Sequence, residues 1–189
     1  MGGRLTIVTL AVLSAWGPPV GDAAARGPGR SSPAPTRTPV VVDTVGSRCA
    51  GADSRRFDFW LGPWTVRDTA GAEVGRSEIT AVSDGCAILE RWRGSGGVDG
   101  TSLSVYEPVA GRWTQFWVGG GGLVLRLSGG WKDGAMVLSG RHATADGTEV
   151  LDRIRWEPLD DGRVRQTWDV SVNDGATWRT AFDGLYEPR

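Results

Sequence analysis

Four polar side chains stand among bulky apolar neighbours at a spacing of two residues. Glu90 lies between Ile88 and Trp92, Gln115 between Trp113 and Trp117, Asp152 between Val150 and Ile154, and Gln166 between Val164 and Trp168. In an extended chain, residues two apart share a face. Each polar group therefore shares its face with indole or aliphatic surface, and such a face is expected to turn inward. A few polar groups set among aromatic walls are the usual make-up of a small-molecule site. The candidate ligand-binding residues are Glu90, Trp92, Gln115, Trp117, Asp152, Gln166 and Trp168. By the same spacing Trp178, Thr180, Phe182 and Tyr186 are read as one inward row. The competing reading is a filled core whose polar groups bond one another.

Other chemistries need more than these residues supply. Glu90 and Asp152 could form an acid–base pair of the glycosidase kind, but no separation can be read from sequence. A Ser-His-Asp triad would have to use His142, the one histidine, which precedes the turn Ala145-Asp146-Gly147 and reads as a solvated loop residue. No Gly-x-Ser-x-Gly elbow accompanies it. No catalytic residue is assigned. One histidine and two cysteines exclude a four-cysteine or a two-cysteine, two-histidine zinc site within one chain, and no metal or cofactor is expected. Gly119 to Gly122 lacks the lysine and the following helix of a phosphate loop; it reads as a hairpin tip or a portal. A formal net charge of -1 argues against a nucleic-acid-binding surface. Cys49 and Cys86 form an even pair and are expected to be bridged, pinning the segment ahead of the first strand to the third.

The elements that must position these residues are strands. Gly 29 and Pro 10 among 189 residues leave no room for long helices. Nine turn candidates punctuate the chain: Ala70-Gly71, Ser83-Asp84-Gly85, Gly94 to Gly100, Ala110-Gly111, Gly119 to Gly122, Trp131 to Gly134, Ala145-Asp146-Gly147, Asp160-Asp161-Gly162 and Asn173-Asp174-Gly175. Asp-Gly pairs supply the positive φ angles that tight hairpins require. The ten runs around these turns predict strands over 64–68, 76–82, 87–93, 102–106, 113–118, 123–128, 135–140, 149–156, 164–170 and 178–186. A short helical turn is expected only over 55–61. The simplest way for ten sequential antiparallel strands to hide both edges is closure into an up-and-down β-barrel. Arg91, Arg93, Arg153, Arg155, Arg163, Arg165 and Asp169 then fall on the outer face.

The opening Phe57-Asp58-Phe59-Trp60-Leu61-Gly62-Pro63-Trp64-Thr65-Val66 resembles the first motif of a family of exported bacterial proteins of unknown function. Asp84-Gly85-Cys86, Glu90-Arg91-Trp92, Gly111-Arg112-Trp113 with Gln115 and Trp117, and Asp174-Gly175 with Thr177-Trp178 extend the likeness over nearly all of residues 49–189. The resemblance implies an all-β, lipocalin-like or calycin-like barrel and implies no activity. The Leu-Gly-x-Trp start also looks like that of lipocalins and of the haem-binding nitrobindins. The nitrobindin haem ligand is a histidine near the C-terminal end of the barrel, and no histidine follows His142, so haem is not implied. Ser171-x-Asn173-Asp174-Gly175-x-Thr177-Trp178 resembles the Asp-box of sialidases. As a single copy it reads as turn chemistry, with Trp178 packed beneath the turn.

Residues 1–25 read as a signal peptide. A twelve-residue apolar run, Leu5 to Trp16, is followed by Gly17-Pro18-Pro19 and by Ala23-Ala24-Ala25. That run covers roughly 18 Å of a bilayer core about 30 Å thick, too little for a span. Cleavage near Ala25 and a secreted or periplasmic location are expected. Residues 26–48 read as a Pro-, Ser- and Arg-rich disordered linker, which leaves 49–189 as the barrel domain. Three functions are weighed: binding of a small apolar or aromatic ligand without chemistry, an enzyme using Glu90 or Asp152 as acid or base, and a solid-core module whose Arg-rich outer face meets an acidic partner.

Overall fold

The computed structural model describes residues 49–189. The expected signal peptide and linker lie outside the described residues. Ten strands follow one another: β1 (Gly62–Arg67), β2 (Glu73–Val82), β3 (Ala87–Gly94), β4 (Asp99–Glu107), β5 (Arg112–Gly119), β6 (Val124–Lys132), β7 (Ala135–Ala143), β8 (Glu149–Pro158), β9 (Val164–Ser171) and β10 (Arg179–Pro188). Each pairs antiparallel with the next, and β1 pairs with β10, so the sheet is a closed up-and-down barrel with no free edge. The all-β barrel read from the turns is the fold observed. Each of the nine hairpin turns holds a glycine at positive φ, from Gly71 to Gly175, a conformation most other residues adopt only at a cost.

The barrel has two unlike ends. At one end the chain enters through two short 3₁₀ turns, Ala52–Arg55 and Asp58–Trp60. Both fall near the helical turn expected over 55–61, the first beginning earlier. Phe57 and Trp60 are fully buried there. Phe57 stacks on Trp60 at 5.0 Å and meets Trp113 and Trp156 edge-on at 5.6 and 5.2 Å. Two indole N–H groups fasten this plug to the chain: Trp64 Nε1 donates to the Trp60 carbonyl at 2.9 Å and Trp113 Nε1 to the Asp53 carbonyl at 3.1 Å. Each buried ring contributes a few kcal/mol of apolar transfer, roughly. The Phe57–Trp60 motif is thus a stopper that fills one end of the lumen.

Cys49 and Cys86 are bridged, with Cα atoms 5.0 Å apart, and Arg55 donates to the Gly85 carbonyl at 3.2 Å. The entry segment is thereby tied to the turn between β2 and β3. A bridge of this kind belongs to an oxidising compartment. Among the described residues no helix is long and apolar enough to cross a membrane.

Two strand details differ from the sequence reading. At β10 the register slips between Thr180 and Phe182, so Ala181 is an extra residue. A bulge of this kind turns the residues beyond it to the other face. Phe182 and Tyr186 face inward as expected, but Thr180 and Trp178 do not. Thr180 donates to Asp169 on the outer surface, and the Arg153 guanidinium lies 4.1 Å from the centre of the Trp178 ring. The turn chemistry at 171–178 is as read: Asn173 Oδ1 accepts from the Thr177 amide at 2.9 Å, and Trp178 packs beside Gly175. The second difference concerns His142. It is not a loop residue but belongs to β7, inward-facing, with 14% of its side chain exposed.

Candidate functional site

Opposite the plug, the lumen opens into a cavity of about 290 Å³. Its deep part is lined by Glu90, Gln115, Gln166, Trp156 and Tyr186; its walls by Trp92, Trp117, Trp168 and Phe182; and its outer part by Val98, Gly121 and Leu123. Six of the seven residues picked from sequence therefore line one space: Glu90, Trp92, Gln115, Trp117, Gln166 and Trp168. Gly119 and Gly121, from the glycine run read as a tip or portal, line it too. The outer face carries the arginines as expected, several of them paired, as in Arg153–Asp169 at 3.1 Å and Arg165–Asp183 at 2.6 Å.

Asp152 is the exception. It faces inward and is fully buried, but it is not among the residues lining the cavity. Its carboxylate holds His142 Nδ1 at 2.6 Å on one oxygen and accepts the Trp168 indole N–H at 2.9 Å on the other. The pairing of Asp152 with His142 does not follow from a strand read over 135–140, since β7 runs three residues further, to Ala143. Among the described residues that line the cavity, Glu90 is the one carboxyl group.

Glu90 sits in a network of neutral partners. Ser77 on β2 and Ser102 on β4 each donate to one carboxyl oxygen, at 3.0 and 2.9 Å. Gln115 on β5 donates to Ser104 at 3.0 Å. Register explains the arrangement, since Glu90 lies directly opposite Ser102, and Ser104 opposite Gln115. Among the described residues no cation pairs with Glu90, whose relative exposure is 5%. Burial pushes its pKa up to about 7, against the pull of the two serine hydroxyls. On the facing side Tyr186 donates to Gln166 Oε1 at 2.5 Å. Burial, and secondarily the nearby Glu90 charge, hold the Tyr186 phenol well above the ordinary tyrosine range. The phenol therefore stays a neutral donor.

Three glycines that sequence reasoning passed over shape the walls. A Cβ built on Gly75 would lie 2.5 Å from the Trp92 ring, one on Gly100 would lie 2.3 Å from the Trp117 ring, and one on Gly184 would lie 2.5 Å from Phe182. Each ring thus occupies space that a side chain at the glycine would take. Gly100→Val should force Trp117 into the cavity and cost roughly 1–3 kcal/mol, as overpacking does. Denaturant titration and tryptophan emission would read this. A variant with unchanged stability and an unchanged emission spectrum would show that the ring does not rest on Gly100.

Among the described residues no three of His, Cys, Asp and Glu gather in a way that could hold a metal ion. Comparison with protein-family models and with the curated proteins returned no match to this chain.

Proposed function

We propose that the barrel is an exported binding protein that takes a small, largely apolar or aromatic molecule into the open end of its lumen. The observation that carries this reading is the cavity of about 290 Å³, walled by indoles and holding three polar side chains, Glu90, Gln115 and Gln166. Its size is near the lower end of the range for small-molecule sites, roughly 300–1,000 Å³. Flat aromatic walls offer broad contact, and the two glutamines offer orientation. Export is supported by the Cys49–Cys86 bridge together with the apolar leader read in residues 1–25. Kinship with the exported bacterial family is supported by the motif residues, and the role of Phe57 and Trp60 as a plug gives that motif a physical purpose.

A ligand in the cavity should quench or shift tryptophan emission. The change should shrink by roughly half in Trp117→Phe or Trp168→Phe, since each removes one of a few contacting indoles. Titration with small aromatic compounds reads this directly. An emission change that is the same in both variants and in the wild type would place binding elsewhere.

Glu90 also favours a second reading. A carboxyl group with a pKa near neutrality, facing a sheltered space, is the kind of group that serves as general acid or base. Turnover lost in Glu90→Gln with folding intact would support it.

A further inference from the structure

The open-end cavity combines π-faced walls with one carboxyl group that has no cation of its own. The lining residues include no arginine, lysine or histidine. The groups that face Glu90 from the neighbouring strands are Ser77 and Ile79 on β2, Ser102 and Ser104 on β4, Gln115 on β5, Gln166 on β9 and Tyr186 on β10. Of these only Tyr186 can ionise, and it would add negative charge rather than positive. A carboxylate offers about four lone-pair positions, and the serine hydroxyls occupy two. The remaining acceptor capacity belongs to a side chain that borders the cavity.

We propose that the ligand is a small organic cation, an aromatic or alkyl ammonium, whose charged nitrogen pairs with Glu90 while the indoles of Trp92, Trp117 and Trp168 surround its body. This deepens the binding function proposed above and rests on it. The chemistry of the lining sorts the alternatives. An anion would meet the negative faces of the indoles and the Glu90 carboxyl together, with no basic group to hold it. A neutral molecule gains the walls but leaves the carboxyl without a counter-charge. A cation gains from both, because an ammonium near an indole face is attracted by the ring quadrupole and most strongly where water is excluded. The cavity suits a molecule of one or two rings.

The proposal carries a pH signature. The empty cavity holds Glu90 largely protonated below its value of about 7. An ammonium selects the ionised form, so its binding strengthens as pH rises through that value and releases a proton when it occurs below it.

The test compares three near-isosteric probes by calorimetry: 2-phenylethylamine, 2-phenylethanol and phenylacetate. At about pH 8 the amine should bind roughly tenfold more tightly than the alcohol, which equals about 1.4 kcal/mol, with phenylacetate weakest. Between about pH 8 and pH 5.5 the amine should weaken by roughly tenfold while the alcohol changes little. Near pH 6.5 the amine should release roughly half a proton, measured in buffers of different ionisation enthalpy. In Glu90→Gln the amine's preference should shrink several-fold, to what the indole faces alone supply, and persisting alcohol binding would show that the cavity is intact. Alcohol binding with no preference for the amine, or an amine preference undiminished in Glu90→Gln, overturns the pairing of a cation with Glu90 and leaves the binding function standing. Failure of all three probes to bind the wild type overturns both. The wild-type pH profile needs no variant, so poor folding of Glu90→Gln would not protect the proposal.

Discussion

Reduction of the Cys49–Cys86 bridge should lower the melting temperature by roughly 6–12 °C, equivalent to about 3–4 kcal/mol of stability. The bridge closes a loop of 37 residues, and a cross-link over that distance removes much of the freedom of the unfolded chain. Its position adds a second effect. The bridge holds the start of the chain against the turn between β2 and β3, beside the stopper formed by Phe57 and Trp60. Opening it releases the entry segment at one side, although the hydrogen bonds from Trp64 and Trp113 still hold the plug. The reduced protein should therefore remain a folded barrel that melts earlier. Scanning calorimetry with and without reductant checks this. Equal melting temperatures, or free thiols in the folded oxidised protein, would contradict it.

The stability of the barrel should fall by about 3 kcal/mol between roughly pH 4.5 and pH 7.5 through Glu90 alone. Its folded-state pKa is raised from the ordinary glutamate value of 4.5 to about 7. Across that window the folded protein keeps a proton that the unfolded chain has lost. Stability is therefore full below 4.5, declines as pH rises through 7, and levels off above it. Glu90→Gln replaces the protonated side chain with a neutral one of nearly the same shape. The variant should match the wild type at low pH and exceed it by about 3 kcal/mol near pH 8. Taking the difference between the two proteins removes the contribution of every other titrating group. A difference that stays flat across the window would mean that Glu90 ionises at its ordinary value.

The fold was legible because its punctuation is local. Asp133-Gly134 and Asp174-Gly175 both adopt positive φ at the turns where they were read, and strand faces follow from alternation between such turns. The cavity residues were legible for the same reason: Glu90, Gln115 and Gln166 each sit midway between two bulky neighbours on an unbroken strand. What escaped was decided across strands. Gly100 falls within the turn candidate Gly94 to Gly100, and Gly75 lies just ahead of the run 76–82. Their place beneath Trp92 and Trp117 depends on register, which no single strand encodes. The bulge at Ala181 is equally silent, and it moved Thr180 and Trp178 to the outer surface. His142 was missed because β7 runs on to Ala143. Its partner Asp152 is not opposite it but two pairs along on the same face, since His142 faces Val150 and Asp152 faces Gly140.

The central claim is that the open end of this barrel receives a small molecule. Residue-resolved NMR of the indole N–H groups, recorded as 2-phenylethanol is added, tests it most directly. Among the described tryptophans Trp156 borders both the cavity and the plug and Trp60 belongs to the plug, and the other seven divide by position. Trp92, Trp117 and Trp168 line the cavity, Trp64 and Trp113 are bonded at the plugged end, and Trp131 and Trp178 are on or near the outer surface. Binding as proposed shifts the resonances of Trp92, Trp117 and Trp168 together and saturably, and leaves those of Trp64, Trp131 and Trp178 in place. No saturable shift at Trp92, Trp117 and Trp168, or the largest shifts at Trp131 and Trp178, would contradict it.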